Sequence, residues 1–111
     1  MRPHFIRVGA HKYDVVYSTE ELALVGLREK ATLLGHTDHW GLMITIHSDL
    51  SHTVERETLL HEVIHCIWAI SGVSSLKSIT EEQMVRGVEH VFFQVLTNNP
   101  IFLKYLSDKE K

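Results

Sequence analysis

The chain predicts an α+β fold: a small antiparallel sheet of three or four strands packed on two long helices. Three observations carry this reading. Short runs rich in β-branched and aromatic residues fill the first half, at residues 4–9, 12–17, 31–37 and 42–47. Two longer stretches with helical periodicity, opening near Ser51 and Thr80, fill the second half. The length of 111 residues, with 44% hydrophobic and 23% charged side chains, suits a single domain over 1–111 with one core.

The first two strands form a hairpin. His4-Phe5-Ile6-Arg7-Val8 alternates loosely, Gly9-Ala10 turns, and Tyr13-Asp14-Val15-Val16-Tyr17 returns. Ser18 with Glu21 three residues on is a capping box, which opens a helix to about Leu27. Residues 31–37 and 42–47 form a second hairpin, with Asp38-His39-Trp40-Gly41 as its turn. Ser48 to Thr53 is a loop into the first long helix, capped by Ser51 or Thr53, with Glu55 and Glu57 favouring its positive end. Ser71-Gly72 stops that helix.

A polar link, Val73 to Ile79, leads to a second capping box of Thr80 and Gln83. The helix it opens runs to about Thr97. Its apolar stripe includes Met84, Val85, Val88, Val91, Phe92, Val95 and Leu96, with the inward line through Val85, Val88, Phe92 and Leu96. Asn98-Asn99-Pro100 ends it. A short helix, Ile101 to Leu106, follows, and the tail Ser107 to Lys111 is expected to fray.

Inside the first long helix stands His61-Glu62-Val63-Ile64-His65, an H-E-x-x-H motif. Residues four apart share one helix face, so the two imidazoles can bind one tetrahedral zinc ion. Glu62 between them is then positioned to take a proton from a water at the metal. Uncharged flanks, Leu59-Leu60 before and Cys66-Ile67-Trp68 after, suit a packed active-site helix. Cys66 faces another side and reads as a small buried apolar residue rather than a ligand. His4, His11, His36, His39, His47 and His52 have no ligand spacing to one another and are read as non-ligands.

A catalytic zinc site takes three protein ligands and a water. A third histidine six residues after His65 would complete one arrangement, but that position is Ser71. The alternative is a glutamate from the second long helix. Glu81 and Glu82 border its inward face at the start, and Glu89 lies two turns in. A glutamate that serves the helix dipole has the same appearance, so periodicity does not choose among the three.

The run Glu57 to His65, then Glu81-Glu82-Gln83-Met84-Val85, then Phe92-Phe93-Gln94-Val95-Leu96 before Asn98-Asn99-Pro100, resembles small phage and prophage proteins related to the ImmA/IrrE-type zinc metallopeptidases. The likeness covers residues 42–100. These are gluzincins, and the resemblance implies a minimal zincin-like core whose third ligand is a glutamate on the following helix. In that pattern a Glu precedes a small or β-branched inward residue by three, which fits Glu82 with Val85 better than Glu81 with Met84. The resemblance therefore implies His61, His65 and Glu82 as metal ligands. The alanine run of the larger relatives is absent, and the chain has no room for their DNA-binding helix-turn-helix, so repressor cleavage is not carried over.

The expected activity is zinc-dependent peptide hydrolysis with Glu62 as general base, and the resemblance implies a phage-encoded protein. Leu42 to His47, just before the zinc helix, is the expected sheet edge for a peptide or protein substrate. Tyr13, Tyr17, Arg86, His90 and Tyr105 are candidates for holding the oxyanion, and spacing singles out none. The alternative function is a non-catalytic zinc-binding or interaction protein on the same fold. A net charge of −3 offers no basic footprint for nucleic acid. One cysteine, no apolar leader in Met1-Arg2-Pro3-His4-Phe5 and no membrane-length segment predict a cytoplasmic protein.

Overall fold

Alternation along the first strands is what builds the sheet's core face. In the computed structural model, which describes residues 2–109, β1 (Phe5–Val8) buries Ile6 and Val8, and β2 (His11–Tyr17) buries Tyr13 and Val15. The two pair antiparallel around Gly9, whose φ of +60° suits the turn. Helix α1 (Thr19–Glu29) starts at Ser18, whose side chain accepts from the Glu21 amide, and ends at Lys30 in the left-handed region. Strands β3 (Gly35–Asp38) and β4 (Met43–Ile46) form the second hairpin, and β4 buries Ile44 and Ile46. Its turn is held by Asp38, which accepts from the Trp40 and Gly41 amides, each at 3.0 Å.

The strand order is β1-β2-β4-β3, and β2 runs parallel to β4. The sheet is therefore mixed, not antiparallel as the sequence suggested. The cause is the whole α1–β3 connection: α1 carries the chain to the outer edge, where β3 runs opposite to β2, and the β3–β4 hairpin then brings β4 back between them, parallel to β2. It also makes β4 an internal strand. The expected substrate edge at Leu42 to His47 is thus wrong, and β3 is the edge strand next to the motif helix.

Helix α2 (His52–Ser71) is the longest element and stops at Gly72, with φ +78°. Helix α3 (Glu81–Asn98) opens on the full Thr80–Gln83 capping box, and α4 (Pro100–Ser107) follows at once. The core joins the sheet face to Leu59, Val63, Cys66 and Ile67 of α2, Val95 of α3, and Phe102 and Tyr105 of α4. The expected fraying of Glu110 and Lys111 lies outside the described residues.

The inward line of α3 differs from the expected one. Val95 is buried and Val88 and Val91 pack on the core, whereas Val85, Phe92 and Leu96 are exposed. Side chains near the far end set this rotation. Asn99 both accepts from the Arg7 amide (2.8 Å) and donates to the Arg7 carbonyl (2.9 Å), and Gln94 does the same to Gly9 and Arg7. Those contacts satisfy the outer backbone of β1 and turn the helix accordingly. Among the described residues, no helix is long and apolar enough to cross a membrane.

Candidate metal centre

The burial pattern of α2 decides where the motif points. Glu55, Thr58, Leu59, Glu62, Val63, Cys66 and Ile67 are buried, a 3.6-residue rhythm facing the sheet. His61 and His65 fall on the adjoining strip, open to solvent, as are Ile64 and Trp68. Their Nε2 atoms lie 3.2 Å apart, with ring centroids at 4.8 Å and planes at 77°. Two nitrogens bound to one tetrahedral zinc at ~2.0–2.1 Å stand about 3.3 Å apart. The separation is close to that value, and it equally places the two ring nitrogens within hydrogen-bond distance of each other.

Glu62 is held from the other side. Its side chain is 8% exposed, Oε1 accepts from the Thr37 hydroxyl at 2.8 Å, and Oε2 lies 4.0 Å from His61 Nε2. One oxygen is therefore anchored to β3 while the other borders the histidine nitrogens. Gly35, two residues before Thr37, brings the strand against the helix: a Cβ there would meet Thr58 and Glu62 at 3.0–3.1 Å. One turn beyond Glu62, the Cys66 thiol is pushed up to about 12 by burial, with the Glu62 charge adding to it. Such a thiol stays protonated at neutral pH, in keeping with a packing role. Tyr13, beside it, is also raised to about 12 by burial and bonds His39 Nδ1 at 3.0 Å.

Set against known proteins, the chain matches no family model, no curated protein and no solved structure. The fold brings together His61, Glu62 and His65. Glu82 is not among them: it is exposed and paired with Arg86 at 2.9 Å on its own helix. Glu81 and Glu89 are exposed as well. Among the described residues, no three His, Cys, Asp or Glu side chains are grouped as ligands of one ion.

The candidate oxyanion donors are mostly committed elsewhere. Tyr17 donates to the Pro3 carbonyl, Tyr105 donates to Glu55 at 2.6 Å, and Arg86 holds Glu82. Of the remaining histidines, His47 Nδ1 accepts from the Asp49 amide and His52 Nε2 is buried without a partner among the described residues. Sequence reasoning missed Thr37 and Gly35. A threonine in a strand carries no signal, but a glycine inside a predicted strand does mark close backbone approach.

Proposed function

We propose that the chain is a zinc-dependent metallopeptidase on a zincin-like core, with His61 and His65 holding the metal and Glu62 as general base. The observation that carries this reading is the histidine pair, Nε2 atoms 3.2 Å apart, with a strand-anchored carboxylate beside it. A structural zinc site has no use for such a base. When bound, zinc lowers the pKa of water from ~15.7 toward ~7 and polarises a substrate carbonyl. Glu62 accepts the proton from the attacking water on the oxygen nearer His61, then passes it to the leaving amine. Thr37 keeps the carboxylate from rotating away. Substrate pairs as an added strand on β3, since Gln94 and Asn99 occupy the backbone of the opposite edge at β1.

Glu82 is the proposed third ligand, in a bound state where it exchanges Arg86 for the metal. Metal analysis with peptide hydrolysis tests the reading. The expected result is one zinc per chain, lost in His61→Ala and His65→Ala, with Glu62→Gln keeping the metal and losing hydrolysis. Glu82→Gln should weaken zinc binding more than Glu81→Gln or Glu89→Gln. Absence of zinc after supplementation overturns the proposal. Zinc held firmly with no hydrolysis of any peptide favours the non-catalytic reading, which gains support from the pair standing without a third ligand beside it.

A further inference from the structure

A cavity of about 310 Å³ opens beside the histidine pair. Residues 32–35 form one wall, and Glu57, Thr58, His61 and Glu62 of α2 form the other. The volume is at the low end for ligand sites, ~300–1,000 Å³, and is ample for one long side chain.

Its chemistry is divided. Leu33 and Leu34 supply aliphatic surface from the strand side. Two carboxylates supply charge from the helix side, but they are not equivalent. Glu62 is buried and anchored by Thr37. Glu57 is exposed, one helical turn before His61 on the same face, and makes no ion pair among the described residues. An acidic occupant would be repelled by both groups. A purely aliphatic occupant would strip water from Glu57 without compensation. A lysine or arginine satisfies each requirement, with its methylene stem on the leucines and its cation at Glu57.

We propose that this cavity is a substrate side-chain pocket selective for lysine or arginine next to the bond attacked, with Glu57 as the specificity-determining residue; this rests on the metallopeptidase reading above. His61 belongs to both the cavity wall and the histidine pair, so a side chain lodged there holds its own backbone at the pair.

Two measurements test it. Hydrolysis of a mixed peptide library by the zinc-loaded chain should show lysine or arginine enriched at one position flanking the cut. Glu57→Gln should lower kcat/KM for those peptides about tenfold, to the level of norleucine analogues, and Glu57→Lys should turn the preference toward acidic residues. Separately, acetyl-Ala-Lys-Ala-amide and its norleucine counterpart are titrated into the metal-free chain and followed by amide NMR shifts. The lysine peptide should bind several-fold tighter, shifting residues 33–35 and 57–62, and Glu57→Gln should erase the difference. Equal binding of the two peptides, or a preference indifferent to Glu57, overturns the pocket assignment. Lysine-selective binding without any hydrolysis overturns the peptidase reading and leaves the pocket standing.

Discussion

Replacing Gly35 by alanine probes the packing of strand β3 on helix α2. The backbone permits the change, since Gly9 and Gly72 are the glycines with positive φ and Gly35 is not among them. Chain entropy alone would then make alanine stabilising by ~0.4–1 kcal/mol. Against this stands the new methyl group, 3.0 Å from Thr58 Cγ2 and 3.1 Å from both Cγ and Oε2 of Glu62. Carbon atoms prefer ~3.5–4.0 Å, so three contacts are short by about half an ångström. Whether they can relax decides the sign. Thr58 and Glu62 are buried on α2, between the fully buried Leu59 and Val63. Glu62 is also tied to Thr37 on the same strand. Moving the carboxylate strains that bond, and moving the strand opens the β3–α2 contact. Overpacking of this kind costs ~1–3 kcal/mol, which outweighs the entropic gain. The net loss is about 1–2 kcal/mol, or roughly 4–8 °C in Tm for a chain of this length. Thermal and urea melts followed by circular dichroism measure it. With zinc content unchanged, kcat should fall as well, because the displaced group is the proposed base. A Gly35→Ala protein that melts at or above the wild-type temperature refutes the packing argument.

Three further outcomes follow from the same structure. Thr37→Val removes the donor to a buried carboxylate and should cost about 1–3 kcal/mol, while Thr37→Ser should restore most of it; equal urea midpoints for the two variants would mean the hydroxyl holds nothing. Tyr105→Phe strips one hydrogen bond from buried Glu55 and should cost about 1–3 kcal/mol in the same melts. Burial first, then the bond to Glu55, raises the Tyr105 phenol above its ordinary value. Its contribution is therefore complete below pH ~10 and is lost as pH rises beyond that, so 295 nm titration should show this phenol ionising only with alkaline unfolding. The Asp38 carboxyl is lowered, chiefly by the Gly41 amide, so its contribution is present above pH ~4 and lost on further acidification. Asp38→Asn should flatten that acid dependence of the urea midpoint, and an unchanged slope would count against the turn.

Local chemistry was legible in the sequence wherever the signal and its cause lie within a few residues. The Thr80–Gln83 box, the Gly72 stop and the Asp38–Gly41 turn each depend on neighbours along the chain, and each formed where the residues indicated. The histidine pair is of the same kind, because four-residue spacing on a helix sets its geometry. What could not be read was long-range. Nothing near Met43–Ile46 announces that it pairs in parallel with β2, since that follows from α1 setting β3 at the outer edge and the hairpin turning β4 inward. The partner of Glu62 is 25 residues away, and Thr37 has no local mark of that role. The rotation of α3 was misjudged because hydropathy weighs Phe92 and Leu96 above Gln94 and Asn99. The polar pair prevails because the backbone of β1 and the buried side chain of Asn99 need partners, and a part-exposed phenylalanine costs less than that buried group left unpaired.

That rotation bears directly on the proposed third ligand. The Glu82–Arg86 pair is no obstacle to zinc: an exposed i,i+4 ion pair is worth ~0.3–0.5 kcal/mol, against ~10–16 kcal/mol for zinc in small structural sites. The energetic resistance lies instead in the placement of the helix that carries Glu82. Gln94, Val95 and Asn99 fix the far half of α3 on β1 and the core, whereas residues 81–86 are all exposed and bury little. Gly87 lies tight against buried Val73 and Val88 packs on the core, so only the opening turns ahead of them can swing without breaking the core, and the proposed ligand set demands a shift confined to residues 81–86. The alternative, a rotation of the whole helix, would tear four side-chain hydrogen bonds from Arg7 and Gly9. At ~0.5–1.5 kcal/mol each, with two amides and a carbonyl left to find water, that route is the costlier one. Zinc should therefore alter amide exchange in residues 81–86 and leave Gln94 to Asn99 untouched.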